Sequence, residues 1–92
     1  MSDPVSRSVG VCNARGLHAR ASAKFVKTAA AFDAEVMVEH KGTSVDARSI
    51  MGLLMLAAGS GSTITISAEG PEAEAAAAAL AELVERRFDE DA

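Results

Sequence analysis

Glu35-Val36-Met37-Val38-Glu39-His40-Lys41-Gly42-Thr43-Ser44-Val45-Asp46-Ala47 is the stretch whose reading decides the fold. In an extended chain Val36 and Val38 face one way, and Glu35, Met37 and Glu39 face the other. Lys41-Gly42 makes a two-residue turn, and Thr43 to Ala47 is the returning strand. A hairpin apolar on one face has to be covered there by another layer.

The flanking segments provide that layer. Upstream, His18 to Phe32 reads as a helix with Ala19, Ala23, Val26 and Ala30 at i, i+4, i+7 and i+11, and with Phe25 and Ala29 beside them. Asp33 closes it. Before this helix, Ser8 to Asn13 reads as a short strand with Val9 and Val11 on one face, and Ala14-Arg15-Gly16-Leu17 as a loop. Residues 1–7 are expected to be a loose start. Downstream, Arg48 to Gly59 is dense in helix formers, with Ser49 as N-cap and Gly59 as stop. It is too short to stand alone and must lie on the body. Leu53 and Leu56 are expected to face the core.

Thr63 to Ala68 alternates strictly, with Ile64 and Ile66 inward, and forms a fourth strand. Gly70-Pro71 breaks the chain before a last helix that carries Ala73, Ala76, Ala77, Leu80, Leu83 and Val84 on one face. Arg86 and Arg87 suit its C-terminal dipole, whereas Asp89-Glu90-Asp91 oppose it and are expected to fray. The order is β-α-β-β-α-β-α. It predicts an α+β open-faced β-sandwich, a four-stranded antiparallel sheet with the helices packed on one face.

The 92 residues carry 9 Lys and Arg against 13 Asp and Glu, for a net charge of −4, with one Cys. That length fits one domain over residues 1–92, with a core at about 8–88 and an acidic C-terminal tail. One Cys makes no internal disulfide, and no Cys/His cluster calls for zinc or another metal. No apolar run follows Met1-Ser2-Asp3-Pro4, and none is long enough to span a membrane. A cytoplasmic setting is expected. With neither Trp nor Tyr and an acidic balance, nucleic acid is a poor partner. Cys12 is expected to be a small buried strand residue and His40 a solvated one. Glu74, Glu82, Glu85, Asp89, Glu90 and Asp91 read as a solvated helix face and tail.

The acid-free stretch from Arg15 to Lys27 concentrates positive charge around His18. Gly16-Leu17-His18-Ala19-Arg20 falls at a loop-to-helix junction, where unpaired amides and the positive end of the dipole accommodate a phosphate. The same field favours the neutral imidazole that a nucleophile requires. Backbone amides at Ala19 and Arg20, and the Arg20 guanidinium, would then hold the phosphoryl oxygens. The competing reading is a polar loop histidine without chemistry. Arg20, Lys24 and Lys27 at i, i+4 and i+7 form a basic stripe, either a solvated face or a dock for an acidic partner.

Gly16-Leu17-His18-Ala19-Arg20-Ala21-Ser22 resembles the active-site signature of the histidine-containing phosphocarrier (HPr) family of the phosphoenolpyruvate-dependent phosphotransferase system. Ser49-Ile50-Met51-Gly52-Leu53-Leu54 resembles that family's regulatory-serine segment. Ile64-Thr65-Ile66-Ser67-Ala68-Glu69-Gly70 resembles its last strand and turn. The likeness runs from about Val9 to Arg87 with essentially no gaps. Two positions depart: Ala21 stands where the family usually has Pro, and Arg15 where a small polar residue is more usual.

The resemblance implies a covalent carrier without cofactor and without turnover of its own. His18 Nδ1 would accept a phosphoryl group from a phosphohistidine of enzyme I, charged by phosphoenolpyruvate, and pass it to a histidine of an IIA-type protein. Arg20 would stabilise the phosphate. Partners would dock on Arg20, Lys24 and Lys27 and on an exposed apolar set, Ile50, Met51 and Leu54. Ser49 would be the target of an HPr kinase/phosphorylase. The chain would act as a monomer, in sugar uptake or in a regulatory nitrogen-related relay. The rival from another class is a small regulatory or binding module without phosphoryl transfer.

Overall fold

The computed structural model describes residues 4–91. Its elements are β1 (Val5–Gly10), α1 (Ala19–Ala30), β2 (Glu35–His40), β3 (Thr43–Asp46), α2 (Ile50–Met55), β4 (Thr63–Glu69) and α3 (Ala73–Glu85), followed by a tight turn at Arg87–Asp89. The four strands form one antiparallel sheet in the order β1-β4-β2-β3. Val38 sits opposite Ile66 on one side and Val45 on the other, and Ile64 sits opposite Val9. The helices cover the face that these side chains share, which gives the open-faced sandwich expected from the element order.

At the β2–β3 turn Lys41 and Gly42 both take positive φ, the type I′ geometry whose twist matches the flanking strands. Val36 and Val38 are buried while Glu35, Met37 and Glu39 are exposed. His40 continues the inward set. It is buried, not solvated, and its Nδ1 donates to the Leu56 carbonyl at 2.9 Å. The period-2 register that buries Val36 and Val38 also buries His40.

Four further expectations are corrected. β1 begins at Val5 rather than Ser8, because β4 offers a ladder that extends to the pair Val5–Ala68; of the loose start, residues 1–3 lie outside the described residues. Cys12 follows the strand and is exposed, its Sγ 3.7 Å from the Val84 carbonyl oxygen. In α1 the buried face is Ala21, Ser22, Phe25 and Ala29, whereas Ala19, Ala23 and Ala30 are exposed and Val26 half-buried. Alanine suits either environment, so the bulk of Phe25 orients the helix. α2 stops at Met55, because Ala57 turns to φ 52° and breaks the helical run before Gly59.

The last helix buries Ala73, Ala76, Ala77, Leu80, Leu83 and Val84, the face read from the sequence. Beyond it, Arg87, Phe88 and Asp89 have φ of 59°, 54° and 61°. Left-handed backbone costs an L residue roughly 1–2 kcal/mol. Phe88 offsets part of that cost by burying its whole ring, worth about 1.5–3 kcal/mol. This turn brings the acidic tail back over the body instead of leaving it to fray.

Candidate functional site

The site is built on the loop between β1 and α1. Asn13 is fully buried, its Nδ2 donating to the Gly16 carbonyl at 2.9 Å, and Gly16 N returns a bond to the Asn13 carbonyl at 3.2 Å. Leu17 is buried, and its amide donates to the Ala58 carbonyl at 3.0 Å, tying the loop to the segment after α2. His18 then caps α1. Its backbone is extended, its carbonyl accepts from Ser22 N at 2.8 Å, and its Nδ1 accepts from Arg20 N at 3.3 Å.

The other ring nitrogen faces the C-terminal segment. His18 Nε2 pairs with Glu90 Oε2, and Glu90 Oε1 accepts from Asn13 Nδ2 at 3.0 Å. Nε2 facing a carboxylate and Nδ1 facing an amide N–H assign the hydrogen to Nε2 and the lone pair to Nδ1. The His18 side chain keeps 21% of its exposure and Glu90 16%, so the imidazole is supported and still reachable. It opens on a cleft of about 360 Å³ lined by Ala14, Arg15, His18, Arg20, Lys24, Asp89, Glu90 and Asp91.

Charge in the cleft is mixed. Glu90 is held below the ordinary glutamate range, mostly by the Asn13 hydrogen bond, with His18 and Lys24 adding to it and burial opposing. Asp89 is also lowered, chiefly by its hydrogen bond from Arg86, whose Nε lies 3.1 Å from Oδ1. Among the described residues neither Arg15 nor Arg20 joins an ion pair. A lone pair at a helix N-terminus with free guanidinium groups nearby is an arrangement that can attack, and then hold, a tetrahedral dianion.

The basic stripe divides. Arg20 and Lys27 are exposed, but Lys24 is half-buried, its Nζ donating to the Phe88 carbonyl at 2.7 Å. Ser49 caps α2, its Oγ accepting from Gly52 N at 3.0 Å. Ile50, Met51 and Leu54 are exposed, as the family resemblance implies, and Leu53 and Leu56 are buried, as expected from the sequence. Met55, not singled out there, is the most exposed large apolar residue among the described residues, at 73%. Ala21 is buried within α1. Glu90, Asn13 and Phe88 were not expected at the site, and no local pattern marks them, since Glu90 meets His18 across 72 residues of chain.

Such a site suits a protein that carries a group on one ring nitrogen. The family model described as the PTS HPr component phosphorylation site matches residues 5–86. A phosphocarrier protein HPr of Xylella fastidiosa is 46% identical over 81 residues, which is 88% of this chain and 91% of that one. A phosphocarrier protein NPr of Shewanella violacea is 44% identical over 86 residues, 94% of each chain. The crystal structure of HPr-C-His from Thermoanaerobacter tengcongensis superposes with a TM-score of 0.91 at 39% identity, covering 96% of this chain and 99% of that one. The chain belongs to the HPr family of phosphotransferase-system phosphocarriers.

Proposed function

We propose that the chain is a phosphoryl carrier that takes the group on His18 Nδ1 from a phosphohistidine of enzyme I and gives it to a histidine of an IIA-type protein. One observation carries the assignment to this nitrogen: Nδ1 accepts from Arg20 N at the start of α1 while Nε2 is held by Glu90. When the N–P bond forms, the Arg20 amide turns from the ring to a phosphoryl oxygen. The Ala19 amide and the guanidinium of Arg20 take the others. Alignment and charge stabilisation supply most of the catalysis of such a transfer, and the partner brings half of both. The chain is therefore a carrier and not a turnover enzyme.

Arg20 and Lys27 steer an acidic partner surface, and Ile50, Met51, Leu54 and Met55 give it an apolar seat beside the site. α2 packs against α1, which brings the two patches together. Met suits a surface that serves more than one partner. Ser49 is a site for a regulatory kinase, where a phosphate would bring about −1.5 to −2 charges to the edge of that seat. The chain works as a cytoplasmic monomer. Its likeness to an HPr at 46% and to an NPr at 44% supports sugar uptake and nitrogen regulation alike.

The test is incubation with enzyme I and labelled phosphoenolpyruvate. The wild-type chain takes up one phosphate that is labile in acid and stable in base, and His18→Ala takes up none. A chain that stays unlabelled beside an active cognate enzyme I is a binding module and not a carrier.

A further inference from the structure

We propose that Glu90 is a positioning residue for phosphoryl transfer, a carboxylate clamped by Asn13 that fixes the His18 tautomer and stabilises the charge the ring acquires as it is phosphorylated. The inference rests on the carrier reading above.

The geometry is that of three groups in series. Asn13, fully buried, has its Nδ2 shared between the Gly16 carbonyl and Glu90 Oε1 at 2.9 and 3.0 Å. Glu90 Oε2 takes the hydrogen of His18 Nε2. His18 Nδ1 is left with its lone pair toward the cleft and the Arg20 amide. A carboxylate behind an imidazole selects one tautomer and stabilises positive charge that develops on the ring during the reaction. The turn at Arg87–Asp89 delivers this carboxylate. Its left-handed backbone is fastened by the buried Phe88 ring, by Lys24 Nζ on the Phe88 carbonyl at 2.7 Å, and by Glu90 N on the Arg87 carbonyl at 2.9 Å. A tail that served only to cap α3 would not need to turn back on itself to reach the β1–α1 loop.

The bond changes show where Glu90 acts. The Nδ1 lone pair forms a bond to phosphorus while the bond from phosphorus to the donor's nitrogen breaks, and that electron pair leaves with the donor's imidazole. His18 loses no proton, because Nε2 keeps its hydrogen. The ring therefore gains positive charge, and the Nε2–H it presents to Glu90 becomes a stronger donor. A donor that gains positive charge makes a shorter and stronger hydrogen bond to a carboxylate, so the contact tightens as the reaction proceeds. The phosphoryl group lies at the opposite ring nitrogen, where Arg20 and Arg15 offset its repulsion from the carboxylate.

The experiment compares wild type, Glu90→Gln and Glu90→Ala, with Glu74→Gln as a charge-matched control on the exposed face of α3. Phosphorylation is measured with enzyme I and phosphoenolpyruvate, and separately with phosphoramidate, a small donor that needs no docking. Glu90→Gln is expected to lower kcat about tenfold with little change in KM for the carrier, and to show the same loss with phosphoramidate. Imidazole ¹⁵N shifts of the unphosphorylated Glu90→Ala chain should move from one tautomer to a mixture, a change that a merely structural role would not produce. Equal rates for wild type and Glu90→Gln, or an unchanged tautomer in Glu90→Ala, overturn the inference while the carrier reading stands. A wild-type chain that takes no phosphate from either donor overturns the carrier reading itself.

Discussion

Gly16 packs against the carbonyl of Ala58 so closely that a Cβ at position 16 would lie 2.5 Å from that oxygen and 2.7 Å from Gly59 Cα. Its φ is +64°, a region other residues enter at a cost. Sequence alone marks Gly16 as one of several loop glycines. The structure makes it the point where the loop that presents His18 is pressed onto the segment after α2. Gly16→Ala is expected to lose about 2–4 kcal/mol of stability, from backbone strain and from the backbone shift needed to clear Ala58. Urea denaturation reads the loss, and slower labelling of the folded fraction reads the displacement of the loop. A variant as stable as wild type would show that the two segments part at no cost.

Phe88 holds the C-terminal turn by burying its ring completely. Phe88→Leu keeps an apolar side chain there and is expected to cost about 1–2 kcal/mol. The consequence at the site is local: the turn loosens, and Glu90 spends less time on His18. Trypsin reports this directly, because Arg86 and Arg87 stand at the start of the turn and both are exposed. Cleavage after them should accelerate in Phe88→Leu more than cleavage after Lys41 in the β2–β3 turn. A uniform acceleration would mean that the whole fold, and not the turn, had loosened.

Fold and site were legible to different degrees. The β2–β3 hairpin, β4 and the buried face of α3 follow from bulky side chains at a clear period, where the pattern leaves one face to bury. The face of α1 did not follow, because a stripe of alanines carries almost no orientation and Phe25 settles it. The start of β1 did not follow either, since Val5 to Arg7 are held by a partner strand remote in sequence. At the site, the His18 loop and the α2 surface were read from local motifs. Glu90 was assigned to a fraying tail by the helix-dipole argument. That argument is sound for an isolated helix and fails here, because Phe88, Lys24 and Asn13 bring the tail back.

The lowered affinity of Glu90 for its proton makes a prediction about acid. Asn13 is the largest cause, with His18 and Lys24 adding to it against the effect of burial. The carboxyl holds its proton less tightly in the folded chain than in the unfolded one. The stabilisation is complete above the unfolded value and is lost as pH falls through the folded one. Between about pH 5 and the lower limit of the fold, wild-type stability should therefore fall more steeply than that of Glu90→Gln. Asp89, lowered by Arg86, contributes a fall common to both proteins. Stability curves that run parallel through that range would show that Glu90 is not coupled to folding.

Ser49 tests the edge of the docking surface. Its Oγ caps α2 by accepting from Gly52 N, so Ser49→Ala should cost about 1 kcal/mol. Ser49→Asp keeps an N-cap acceptor and adds a charge, so its stability should stay within about 0.5 kcal/mol of wild type. The two variants therefore separate folding from docking. On the proposed function, the aspartate variant slows phosphoryl acceptance from enzyme I, and the alanine variant, once folded, does not. The reverse order would place the role of Ser49 in folding alone.

Met51 and Met55 are exposed by 68% and 73%, more than any other large apolar side chain among the described residues, and both lie on α2 beside α1. Neither side chain is needed to fill the core, which Leu53 of α2 and Leu56 just beyond its end do. Met51→Glu should accordingly change stability by no more than about 0.5 kcal/mol, the usual range for a surface position. Its effect on docking should be large, because a carboxylate brought into an apolar contact must be desolvated and there meets the acidic surface that Arg20 and Lys27 are proposed to attract. Stopped-flow transfer to an IIA-type partner should slow at least tenfold, with the loss in KM rather than in kcat. Phosphorylation by phosphoramidate, which makes no use of the seat, should not change. Transfer kinetics equal to wild type would leave the methionines as solvent-exposed residues of no consequence, and would shift the docking role to the basic side of α1.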